Sequence, residues 1–127
     1  MAWQTEADME NNYKEEQQRS FIMGKNYELV FDNVILKQLK KAGRNKHLKS
    51  ILSNMLDKIE AGGPNAGELL DSKLHIYEAK NMHPPIRMYY KHDIITSKIY
   101  IFEYEMKTGR EKQKKTVEKV KNKASKP

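Results

Sequence analysis

Leu48, Ile51, Leu52, Met55, Leu56 and Ile59 fall at i, i+3, i+4, i+7, i+8 and i+11. That spacing puts all six on one stripe of an α-helix and on no single face of a strand. Lys46, Lys49, Asp57, Lys58 and Glu60 occupy the other side, so the helix needs an apolar surface on one side only. Gly62-Gly63-Pro64-Asn65 ends it. A shorter helix precedes it, with Val34, Ile35, Gln38 and Leu39 on one side, Asp32 or Asn33 at its N-cap and Gly43 at its end. Only a few residues join the two helices, which predicts a helical hairpin.

The surface for that hairpin comes from segments of period two. Tyr27-Glu28-Leu29-Val30-Phe31 reads as a short first strand. After the hairpin, residues 73–79 alternate, with Leu74 and Ile76 opposite His75 and Tyr77. Pro84-Pro85 leads into Ile86, Met88 and Tyr90 alternating with Arg87, Tyr89 and Lys91. Residues 98–104 follow, with Ile99 and Ile101 opposite Tyr100, Phe102 and Tyr104. Short links predict an antiparallel meander. Thr108 and Glu111 form a capping box, so a last helix begins near Gly109. Its apolar content is Val117 and Val120 alone. The expected order is β-α-α-β-β-β-α, an α+β fold with a helical hairpin on one face of a small twisted antiparallel sheet.

The chain has 127 residues, which suits one core. Residues 1–25 form an acidic extension whose composition suits a disordered or frayed segment. Residues 26–122 form the domain and 123–127 a basic tail, with fraying expected from Lys119 on. No run of about 18 apolar residues exists to span a membrane, no secretion signal is visible, and a cytoplasmic location is expected. The absence of cysteine excludes disulfides and thiolate chemistry. The net charge is +7, and residues 105–127 hold nine basic and three acidic side chains. Such a balance suits a polyanion or an acidic protein.

Nucleotide-loop, zinc-protease, nucleophile-elbow and EF-hand patterns are missing. His47, His75, His83 and His92 have no metal-ligand spacing, so no metal and no small-molecule cofactor is expected. Lys80, His83, Arg87, Tyr89, Lys91, Lys107, Arg110 and Lys112, with Glu78 among them, are placed to gather at the open face and edge of the sheet. Cations interleaved with tyrosines suit a phosphate backbone with unstacked bases. They also suit RNA cleavage in which the 2′-hydroxyl attacks its own phosphate. That reaction needs a base, cations on the non-bridging oxygens and an acid at the leaving 5′-oxygen.

Four stretches carry a resemblance: "LKQLKK" in the first helix, "GELLDSKLHIYEAK" entering the sheet, "PPIRMYYK" as the central strand, and "IYIFEYEMKTGREKQ" leading to the last helix. With the order of elements, residues 27–121 resemble the RelE/ParE superfamily of toxin–antitoxin toxins, nearest its RelE and HigB-like branches. The resemblance implies ribosome-dependent mRNA cleavage, or gyrase poisoning as in the ParE branch, and a cognate antitoxin partner beside ribosome and mRNA. Arg87 matches the family's strand arginine, which contacts phosphate. Lys80 matches a basic position on the preceding strand, and Lys107 and Arg110 match basic residues after the last strand. Glu78 stands where a second family lysine is expected, and either serves as base or marks the loss of the lysine mechanism. Lys112, Gln113 and Lys114 stand where the family has a late Tyr or His. His83 is the alternative acid or base, since histidine in general titrates near neutral pH, and Glu78, two residues from Lys80 on the same strand face, is the first choice for moving protons. Lys91 and Lys112 join the nucleic-acid-binding set. A gyrase-type binder of a protein target and a passive nucleic-acid-binding relative remain the other readings.

Overall fold

The computed structural model describes residues 26–106 and 109–126. The N-terminal extension, Lys107 and Thr108 of the expected capping box lie outside the described residues. The elements are β1 (Leu29–Phe31), α1 (Asn33–Ala42), α2 (Lys46–Gly62), a 3₁₀ turn (Gly63–Ala66), β2 (Glu68–Asp71), β3 (Ile76–Asn81), β4 (Ile86–His92), β5 (Ile99–Met106) and α3 (Arg110–Ala124). They form the α+β arrangement expected, with a five-stranded sheet in the order β1-β5-β4-β3-β2.

The hairpin forms where its caps and stripe put it. Asp32 Oδ2 accepts from the Val34 N–H at 3.0 Å, and Asn45 Oδ1 accepts from the Leu48 N–H at 3.1 Å. Gly43 closes α1 through its N–H to the Leu39 carbonyl. Leu52, Leu56 and Ile59 are fully buried and Met55 nearly so. Each such side chain contributes about 1.5–3 kcal/mol on leaving water. They pack with Ile35 and Leu39 of α1 on Ala79, Ile86, Met88, Tyr90, Ile99 and Ile101 of the sheet. Gly63 ends α2 at φ 53°, where a side chain is strained, and its carbonyl accepts from the Tyr90 hydroxyl at 2.8 Å.

Three features depart from the expected sheet. First, β1 runs parallel to β5, pairing Leu29 with Ile99 and Phe31 with Ile101, so the sheet is mixed. The hairpin carries the chain from one edge to the other, and only β2 to β5 form an antiparallel meander. Second, residues 73–75 are a turn and not strand. Asp71 Oδ1 accepts from the N–H groups of Lys73 and Leu74, each at 2.9 Å, and His75 takes φ 56°. This Asx turn delays β3 to Ile76 and leaves room for β2, a strand with too few residues to show a period. Third, a bulge in β5 pairs Tyr89 with Glu103 but Tyr90 with Ile101. Phe102 is the extra residue, and the phase of the strand changes there. Tyr104, expected beside Tyr100 and Phe102, moves to the hairpin face, and Glu103 and Glu105 move to the other. Gln38 then accepts from the Tyr104 N–H at 2.9 Å and donates to its carbonyl at 2.8 Å, completing β5 beyond the end of β1.

The second face is covered by α3. Ile76, Tyr89 and Phe102 form a small cluster with Val120 and Ala124. The segment from Lys119, expected to fray, is helical to Ala124, because Val120 and Ala124 are buried and Lys123 Nζ reaches Asp32 Oδ2 at 3.0 Å.

Candidate functional site

The site is built on the α3 face at one end of the sheet. Glu78 and Lys80 lie two residues apart on β3 and therefore share that face. Across the ladder Lys80 pairs with Arg87 and Glu78 with Tyr89, while Arg87 pairs with Glu105 of β5. The sequence expectation of Lys80, Glu78 and Arg87 in one place holds at the level of position.

Glu78 is 3% exposed and is the hub. Its Oε1 faces two cations, Lys80 Nζ at 3.5 Å and Arg87 Nε at 3.8 Å. Its Oε2 accepts from the Gln113 side-chain amide of α3 at 3.3 Å. A carboxylate this deeply placed is tolerated because both oxygens meet donors or positive charge. Lys80 also reaches Glu68 of β2 at 3.2 Å. That hydrogen bond, with the charges of Glu78 and Glu68, raises the pKa of Lys80 against the opposing effect of burial. Arg87 and Lys80 keep 38% and 40% of their side chains exposed, so both remain within reach of a ligand.

Below the cations lies a second chain of hydrogen bonds. The Tyr89 hydroxyl donates to Glu105 Oε1 at 2.5 Å, and Thr116 Oγ1 of α3 donates to Glu105 Oε2 at 2.8 Å. Burial, then the bond to Glu105 and the carboxylate charges nearby, pushes the Tyr89 pKa far above its ordinary value. Tyr89 therefore stays a protonated donor and is fully buried, which makes it packing and scaffold. Glu103 meets Lys119 of α3 at 3.2 Å.

The other expected residues are placed differently. His83 is exposed in the turn between β3 and β4, just past the rung of Lys80 and Arg87. Arg110 and Lys112 are exposed in the first turn of α3, the turn that Gln113 brings over Glu78. Lys112 also lines a groove between α3 and the hairpin, with Lys41, Lys119, Glu103, Glu105 and Met106. Lys91 does not join the cluster. Its Nζ donates to the Ala124 carbonyl at 3.0 Å and caps the far end of α3. Lys107 lies outside the described residues. Sequence reasoning missed Glu68, Gln113, Thr116 and Glu105. The signal for Gln113 and Thr116 was present: they continue the stripe of Val117 and Val120 backwards at helical spacing, in polar side chains that a search for apolar residues passes over.

A hairpin on one face of a mixed five-stranded sheet and a single C-terminal helix on the other make up a RelE-like fold. The isolated RelE toxin of E. coli, in its P21 crystal form, matches with a TM-score of 0.52 at 18% identity, covering 74% of this chain and 98% of that one. A chain of the intact E. coli RelBE toxin–antitoxin complex matches with a TM-score of 0.45 at 23% identity, covering 66% of this chain and 99% of its own. No family model and no curated protein matches the sequence. At these identities the likeness is one of fold. No helix among the described residues is long and apolar enough to cross a membrane.

Proposed function

We propose that the protein is the toxin of a type II toxin–antitoxin system and cleaves mRNA on the ribosome in the cytoplasm, arresting translation. The observation that carries this reading is the rung of Lys80 and Arg87, two partly exposed cations side by side on a RelE-like scaffold. Arg87 is the main stabiliser of the phosphate as its oxygens gain charge, and Lys80 assists. The 2′-oxygen bonds to phosphorus, the bond to the 5′-oxygen breaks, and a proton leaves the 2′-hydroxyl while another reaches the 5′-oxygen. His83, exposed beside the rung, is the group we assign to proton transfer. Charge stabilisation comes from protein cations, with no metal ion required. Arg110, Lys112 and Lys107 guide the RNA backbone. A RelE-like toxin implies a cognate antitoxin that neutralises it.

Arg87→Ala tests the reading. Losing one fixed donor at a phosphate costs on the order of 10²–10³ in rate. The variant abolishes growth arrest while the domain stays folded at a lowered melting temperature, because Arg87 contributes no apolar packing to the core and Glu78, losing one cation, keeps Lys80 and Gln113. Primer extension on a reporter transcript with ribosomes present reads the cuts. Wild-type protein that neither cuts the transcript nor arrests growth overturns the proposal, and damaged DNA with intact RNA favours the gyrase reading.

A further inference from the structure

Glu78 was read from the sequence as a candidate base, yet its surroundings suit another task. A general base needs an oxygen open to the substrate proton. Glu78 is 3% exposed, and each oxygen is engaged: Oε1 by Lys80 and Arg87, Oε2 by Gln113. The contact with Arg87 is made at Nε. At 3.8 Å this is an ion pair and not a hydrogen bond, and a guanidinium drawn to a carboxylate through Nε keeps its two terminal nitrogens free of that partner, as the fork that matches two phosphate oxygens. Gln113 is fixed in turn by α3, which Thr116 anchors to Glu105 three residues on.

We infer that Glu78 and Gln113 are positioning residues, which hold the Arg87 guanidinium with its terminal nitrogens toward a phosphodiester. The inference rests on the reading of Arg87 as the phosphate-binding cation, and it narrows the ligand. Glu68 and Glu78 offset the formal charges of Lys80 and Arg87. A cluster balanced in this way offers a directed fork and no large positive field. That suits the singly charged phosphodiester inside an RNA chain better than a doubly charged terminal phosphate. The long-range attraction then falls to Arg110, Lys112 and the rest of α3.

The decisive measurement is the order parameter of the Arg87 Nε–Hε bond by ¹⁵N relaxation on the full chain, assigned with Arg87→Lys. It needs no catalytic activity. Wild-type protein should give a value above about 0.7, and Glu78→Gln should bring it below about 0.6, the flexible range. Gln113→Ala should lower it by a smaller amount. An Arg87 order parameter unchanged in Glu78→Gln overturns the inference. Where Glu78→Gln fails to fold, Gln113→Ala decides alone, since Gln113 is only half-buried. An unchanged value in that variant overturns the inference equally. RNA cleavage supplies the second readout. A positioning role lowers kcat about tenfold in Glu78→Gln and leaves the pH profile in place, whereas a base would take the acid limb of the profile with it. Wild-type protein without cleavage would defeat the proposed function and leave the relaxation result standing as the test of Glu78.

Discussion

On the face toward α1 and α2 the sheet buries Ala79, Ile86, Met88, Tyr90, Ile99 and Ile101 against a continuous apolar stripe. On the face toward α3 it buries three carboxylates, Glu78, Glu103 and Glu105, beside Ile76, Tyr89 and Phe102. The first face is held by area, which is indifferent to direction. The second is held by hydrogen bonds and ion pairs that work in one geometry only: Gln113 to Glu78, Thr116 to Glu105, Lys119 to Glu103. Apolar packing tolerates small shifts, while a buried carboxylate is costly as soon as one donor leaves. The chain therefore puts its stability on one side of the sheet and its orientation on the other, where the candidate site lies.

The sharpest way to break that contrast is a cavity on the apolar face. Leu56→Ala should cost about 2–5 kcal/mol, lowering the denaturation midpoint of the whole domain. If only part of the domain melted early, the hairpin face would not be the common core. Thr116→Val keeps shape and leaves a buried oxygen of Glu105 without its donor, at a cost of about 1–3 kcal/mol. Hydrogen exchange should accelerate in Arg110–Ala124 and remain slow in the second half of α2. Equal acceleration in both would mean that α3 is part of the same cooperative unit. The smallest effect is a pH dependence. The N–H of Leu74, opposed by desolvation and helped by Lys73 and Lys121, holds the Asp71 carboxyl below its ordinary 3.8. A depressed carboxylate stabilises the fold above its unfolded pKa and loses that contribution as pH falls through the folded value. Wild-type protein should thus melt slightly above Asp71→Asn at pH 6. The gap should close below pH 3.8, and a gap that widened in acid would refute the assignment.

Much of this was legible before the structure. The α2 stripe, the Asp32 cap, the Gly43 stop and the period of β4 are local patterns, and residues three or four apart on a helix, or two apart on a strand, share a face in any fold. The placement of Lys80, Glu78 and Arg87 on one face follows from the same periods. Lys91 shows where such reasoning stops. Period two puts it on the face of Arg87, and so it is, but the length of β4 carries it to the opposite end of α3.

The sequence by itself determined the hairpin, the alternation of the central strands and the surplus of cations at the C-terminal end, because each depends on neighbours along the chain. Only the tertiary structure decided that β1 joins β5 in parallel, that a bulge at Phe102 turns Glu103 and Glu105 toward α3, and that Gln113 meets Glu78. Those contacts join residues up to 70 apart in number, such as Leu29 and Ile99. Their register is set by which burial satisfies both faces of the sheet at once, a condition no single segment contains.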